Sequence, residues 1–151
     1  MIYKAAKPDI DWMVKLSHQK RSAYEKAQPH FWKMVGDSDL IQKNYFLEEI
    51  VKNEIIALCY ENNLGFIIGK LVIPPEVYDA GLTLMIDDFC VSDENLWMNV
   101  GKELLQKCIE EAKVKGAKQA LIVCGNHDLL KEKLLDDLKL KIASNWYVGE
   151  I

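Results

Sequence analysis

The sequence predicts a mixed α/β (α+β) fold: one domain over residues 1–151, with a mixed central sheet flanked by helices. Three observations carry this reading. Half of the 151 residues are hydrophobic and 28% are charged, a soluble composition with enough apolar material for a substantial core. Residues 54–73 read as strand, turn and strand, EIIALCY, then ENN, then LGFIIGKLVI. A strongly periodic helical segment from Val100 separates two further β-leaning runs, LTLMIDDFCV (82–91) and QALIVC (119–124), so a right-handed parallel crossover is expected between them.

The elements follow in order. IYKA near the start suits a short strand. Asp9, after Pro8, suits a helix N-cap, with Ile10, Met13, Val14 and Ser17 on one helical face. Pro29 interrupts the next stretch at QPHFW (28–32). Ser38 or Asp39 caps another helix, whose apolar side is expected to hold Leu40, Ile41, Tyr45, Leu47 and Val51. After the hairpin, PPEVYDAG (74–81) is a loop, because two prolines do not fit a central strand. The helix after Val100 places Leu104, Leu105, Cys108, Ile109 and Ala112 on its apolar face, and Gly116 suits its end. Asn126 or Asp128 opens a last helix carrying Leu130, Leu134 and Leu138. KEKLLDDLKLK (131–141) reads as its solvated charged side and exit, and SNWYVG (144–149) as a closing strand. The expected order is β-α-α-β-β-β-α-β-α-β. Ligands favour the carboxyl ends of strands in such units, here Cys90–Val91 and Cys124–Gly125.

Composition narrows the function classes. The formal net charge is −4 with no long basic run, which argues against a partner that is nucleic acid. A mildly acidic surface suits a cationic partner such as an amine. No stretch approaches the ~20 apolar residues of a membrane span, and MIYKAAKPDID is too polar for a secretory signal. Cys59, Cys90, Cys108 and Cys124 lie in apolar segments without CxxC spacing, and His18, His30 and His127 are scattered. Reduced thiols in a cytoplasmic protein, and no metal site, are the expectation.

The most informative stretch is MIDDFCVSDENLWMNVGKELL (85–105). Two adjacent carboxylates end a strand, and a glycine stands at the start of the next helix. With the element order around it, this resembles the GNAT superfamily of acyl-CoA-dependent N-acetyltransferases. The resemblance covers nearly the whole chain and is sharpest from Leu82 to Asn126. In that family a strand ends in valine, and a Q/R-x-x-G-x-G/A loop running into a leucine-rich helix binds the CoA pyrophosphate. IDDFCV matches the strand end and VGKELL (100–105) the start of the helix. Leu96 stands in place of arginine or glutamine, Asn99 replaces the first glycine, and Gly101 remains. The resemblance implies acetyl-CoA as acyl donor, held by Cys90, Val91, Leu96, Trp97, Met98, Asn99, Val100, Gly101, Lys102 and Asn126. Free amides and the positive dipole end of a helix supply the physical need, and Gly101 permits close approach.

Acyl transfer to an amine requires a proton acceptor, stabilisation of the thioester oxygen and a proton for the departing thiolate. Asp87 and Asp88 are the candidates for the first. A regular strand would present only one of them to the cleft, and the resemblance favours Asp87, whose position relative to Val91 matches a place where some family members carry a proton acceptor. For the second, the resemblance implies backbone N–H groups at Cys90 and Val91, which occupy the place where the family's fourth and fifth strands splay apart. For the third, the family's tyrosine is absent from NHDLLKEKLLDDL, leaving His127 at a helix N-terminus, with Tyr147 as the weaker alternative. The resemblance places the acceptor pocket in the region of HFW (30–32), which makes His30, Phe31, Trp32 and, with the same status, Tyr78 its candidate walls, and aromatic walls suit a cation. The expected acceptor is a primary amine of a small molecule or peptide, and a homodimer is a further expectation. A non-catalytic acyl-CoA-binding module of the same fold is the alternative, and a ligand-free interaction protein the third.

Overall fold

The computed structural model describes residues 1–151. In chain order the elements are β1 (Ile2–Lys4), α1 (Ile10–Ala27), the single turn α2 (Pro29–Trp32), α3 (Ser38–Glu49), β2 (Ile55–Tyr60), β3 (Gly65–Val72), β4 (Thr83–Val91), α4 (Lys102–Val114), β5 (Gln119–Ile122) and α5 (Leu129–Asp137). The strands form one sheet in the order β1-β2-β3-β4-β5. All neighbours are antiparallel except β4 and β5, which run parallel across α4 as the helical pattern between them requires.

Strand alternation sends side chains to two cores. On one face, Met13, Val14 and Phe46 of α1 and α3 pack on Ala57, Cys59, Phe66, Ile68 and Cys90. On the other, Leu104, Leu105 and Cys108 of α4 and Leu134 of α5 pack on Ile56, Leu58, Ile67, Leu84 and Phe89. The β2–β3 hairpin closes over Glu61–Asn63, where Asn62 and Asn63 take positive φ of 59° and 56°. Asparagine tolerates that region better than most residues.

Two expectations are corrected here. SNWYVG is not a strand: the sheet ends at β5, and Trp146 and Tyr147 are 81% and 93% exposed. Lys139 turns the chain at φ 64°, and no backbone hydrogen bond follows the one from Leu140 N–H to Leu135 O. A β-leaning run becomes a strand only when a pleated surface is there to pack on, and these residues reach none. The second correction concerns α3. Leu40, Ile41 and Val51 are exposed, while Phe46, Glu49 and Ile50 are buried. Phe46 docks on Phe66 with ring centroids 5.7 Å apart, and that contact rotates the other apolar residues outward.

Candidate active site

Register places the two carboxylates. Consecutive residues Ile68 and Gly69 of β3 face Asp88 and Ile86 of β4, so Asp87 is an extra, unpaired residue in a β-bulge. The bulge turns both acids toward α1 and α3, correcting the expectation that they divide between the two faces. Asp87 is exposed and accepts the Tyr45 hydroxyl at 2.8 Å. Asp88 is 5% exposed and accepts Ser17 Oγ–H at 2.7 Å and the Cys90 thiol at 3.4 Å, and it forms an ion pair with Lys20. Burial alone would raise the pKa of Asp88. The Lys20 charge, with the hydrogen bonds from Lys20, Ser17 and Cys90, outweighs burial and holds the carboxyl below its ordinary range. A carboxylate so held is a poor proton acceptor. Asp88 is therefore better understood as an ion pair fastening α1 to β4 than as a catalytic group.

Beside the bulge the sheet opens. β4 and β5 pair from Thr83–Gln119 to Ile86–Ile122 and no further. The backbone of Asp87–Val91 has no strand partner on that side. Cys90 is buried and Val91 half-buried, so they offer the opening main chain rather than side chains. Tyr24, from α1, reaches the far lip, where its hydroxyl accepts the Gly125 N–H at 3.2 Å. Burial pushes the Tyr24 hydroxyl up to about 12. Lys131, from α5, enters from the opposite face of the sheet, only 4% exposed, with its ammonium 5.6 Å from the ring centres of both Phe89 and Trp97. It forms no ion pair and no side-chain hydrogen bond. The reading of 131–141 as a solvated face is thereby corrected at its first residue.

The segment ahead of α4 differs most from expectation. A 3-10 turn (Glu94–Leu96) and one π-helical turn (Trp97–Gly101) run into α4 without a break. Asp93 accepts the Asn95 N–H at 2.8 Å, Leu96 N–H bonds Asp93 O at 2.9 Å, and Trp97 N–H bonds Glu94 O. Val100 N–H bonds the Asn99 side chain at 2.6 Å, and Lys102 N–H bonds carbonyls of this same turn. The amides expected to form an open anion cradle are thus largely spent. Trp97 is 6% exposed and stands edge-on to Phe89 at 4.8 Å. A Cβ on Gly101 would lie 2.8 Å from the Trp97 ring, so this glycine makes room for an indole. Leu96 and Met98 are half-buried, Asn99 is exposed, and Lys102 pairs with Asp137 at 2.6 Å. The physical cause is the apolar run: burying Trp97 and Val100 winds the segment into the helix.

The aromatic candidates do assemble. Tyr24 meets Trp32 at 4.7 Å and His127 at 4.6 Å, and Phe31 meets Trp32 at 5.1 Å and Trp146 at 5.9 Å. His30, on the same turn, is exposed and lies 3.8 Å from Glu150. Tyr78 is exposed in the β3–β4 loop and stacks on none of these rings. Asn126 is exposed, and Asp128 caps α5 by accepting the Lys131 N–H at 3.3 Å. Tyr147 is exposed and forms no side-chain hydrogen bond. A cleft of about 330 Å³ lies elsewhere, against Ile109, Lys113, Lys118 and Leu138, and no site residue borders it. No group of three His, Cys, Asp or Glu side chains is placed to hold a metal, and no helix is long and apolar enough to cross a membrane.

Sequence reasoning missed Lys20, Tyr24 and Lys131, although a signal existed. Met13, Ser17, Lys20 and Tyr24 follow helical spacing down one face of α1, and Lys131 shares helical spacing with buried Leu134 and half-buried Leu138.

No protein-family model matches the sequence, and no curated sequence matches it significantly. Solved structures do match over the whole length. A mutant of the BH1408 protein from Bacillus halodurans superposes with a TM-score of 0.87 at 14% identity, covering 100% of this chain and 99% of that one. A predicted acetyltransferase from Clostridium acetobutylicum, crystallised with acetyl-CoA, gives 0.73 at 16% identity, covering 99% and 95%. The aminoglycoside enzyme AAC(6')-Iy, in complex with a CoA-linked bisubstrate analogue, gives 0.69 at 12% identity, covering 100% and 97%. From β1 to α5, this chain shares the fold of those acetyltransferases.

Proposed function

We propose that the protein transfers an acetyl group from acetyl-CoA to a primary amine of a small molecule or peptide. The observation that carries the reading is the parting of β4 from β5 beyond Ile86 and Ile122, beside the Asp87 bulge. An unpaired strand edge accepts an extended amide chain as it would another strand, and the pantetheine arm is such a chain. Free backbone N–H groups on that edge are suited to stabilise the thioester oxygen as it gains charge. That structures of similar fold were determined with acetyl-CoA and with a CoA-linked amine supports the same reading.

Asp87 is the group that meets the incoming ammonium. It is accessible, unlike Asp88, and its one side-chain partner is neutral. It attracts the cation and orients it while water takes the proton. Tyr24, Trp32, Phe31 and His127 make an aromatic wall on the acceptor side, and such faces attract cations. With the loop amides engaged, contact with the CoA diphosphate falls to Lys102 and Asn99 at the surface. Four free thiols, three of them buried, fit a cytoplasmic setting.

The alternative is a module of this fold that holds acyl-CoA without transferring the acyl group, and the wound segment Glu94–Gly101 favours it. Titration calorimetry with acetyl-CoA, together with thiol release in the presence of a panel of primary amines and peptide N-termini, separates the two. Binding with amine-dependent thiol release is expected. Binding without release sinks the enzyme and leaves the module, and no binding at millimolar acetyl-CoA sinks both.

A further inference from the structure

Resting on the acetyl-transfer reading, we propose that Lys131 is the catalytic acid that protonates the CoA sulfur as the C–S bond breaks. Its position carries the argument. Lys131 is the one lysine that the fold buries almost completely, and its ammonium has no ion-pair or hydrogen-bond partner. The two rings it faces, Phe89 and Trp97, attract an ammonium by their π faces but accept no proton. The Lys20 charge also reaches Lys131, but Lys20 is committed to Asp88. Phe89 belongs to the stretch of β4 that β5 leaves unpaired, so a positive charge with no carboxylate bonded to it lies against that stretch, where the thiolate would form.

A buried charge without a partner is costly, so a fold that keeps one has a use for an anion there. The charged and titratable groups around Lys131 are Lys20 on α1, Cys90 on β4, Cys124 after β5 and Asp128 at the cap of α5. Burial first, and then the Lys20 charge, bring its pKa below the usual lysine value, against the pull of the other three. That shift brings its acidity toward that of a thiol, the match proton transfer needs.

The step balances. The amine nitrogen bonds to the carbonyl carbon, and the C–S bond breaks with its electron pair going to sulfur. Lys131 gives sulfur one proton, and the proton lost by the amine returns through solvent to neutral Lys131.

The test is Lys131→Met, which keeps an unbranched apolar stem and removes the charged end, with Lys131→Arg beside it. Acetyl-CoA binding is measured by calorimetry and kcat by thiol release from pH 6 to 10. Wild type should bind, turn over and lose rate on the alkaline side as Lys131 deprotonates. Lys131→Met should keep affinity within about threefold, lose about 100-fold in kcat and lack the alkaline limb. Lys131→Arg keeps the charge but not the acidity, and should stay slow with the limb absent. Turnover of Lys131→Met within twofold of wild type, or a parallel loss of binding and turnover, overturns the proposal while leaving acetyl transfer standing. Wild type that fails to bind or to turn over defeats acetyl transfer, and this step with it.

Discussion

Asp88→Asn isolates the buried ion pair from any part in the chemistry. The substitution keeps the side-chain shape and lets the amide oxygen still accept from Ser17, but it leaves the Lys20 ammonium without its counter-charge. Removing one partner of a buried pair costs about 3–5 kcal/mol. The Lys20 side chain is 24% exposed, so it recovers some hydration, and a loss of roughly 2–3 kcal/mol at pH 7 is expected. For a chain of this length that lowers Tm by roughly 5–10 °C. The pH dependence is the sharper check. The folded pKa of Asp88 is depressed, so its contribution is present above the unfolded value near 3.9 and is lost as pH falls through the folded one. The stability gap between wild type and variant should therefore be full at pH 7 and shrink steadily below about pH 4. Urea unfolding of both proteins at pH 7, 5 and 3 measures it. Adding Lys20→Met should recover most of the loss, because a buried pair replaced whole costs far less than one broken. A cost under about 0.5 kcal/mol at pH 7, or one that is the same at pH 3, would refute this account of Asp88.

Three more outcomes follow from particular contacts. Gly65→Ala should destabilise by about 1–3 kcal/mol in urea unfolding, since its Cβ would stand 2.8 Å from the Cys90 carbonyl, which the sheet holds in place. Stability equal to wild type would mean that β3 and β4 can shift. Trp97→Ala should cost about 3–5 kcal/mol, because the indole fills the space among Phe89, Gly101 and Leu134. A loss below 1 kcal/mol would show the ring to be a loose plug. Asp87→Asn should unfold at nearly the wild-type temperature yet lower kcat about 10- to 100-fold, with acetyl-CoA affinity unchanged. An unaltered kcat would remove Asp87 from the mechanism.

Much of the framework was legible because it depends on local period. The hairpin at 54–73, the helix from Val100 and the two runs it joins all stand where alternation and helical spacing put them. The candidate site was legible only in outline. DD at 87–88 was visible, but the bulge that sends both acids to one face comes from mismatched pairing with Ile68 and Gly69, residues nearly 20 positions earlier. The spent amides before α4 were hidden because Gly101 looks the same whether it admits a phosphate or an indole.

The amino-acid sequence by itself determined the kinds of element, their order and the apolar faces they had to bury, since period and composition act over a few residues. Tertiary structure alone decided which charges kept a partner. Lys20 and Lys131 are the same side chain on two helices, but α1 brings the first to Asp88 and α5 brings the second between two aromatic rings. A pairing depends on the distance between elements that meet only when the sheet is built, and no local pattern encodes that distance.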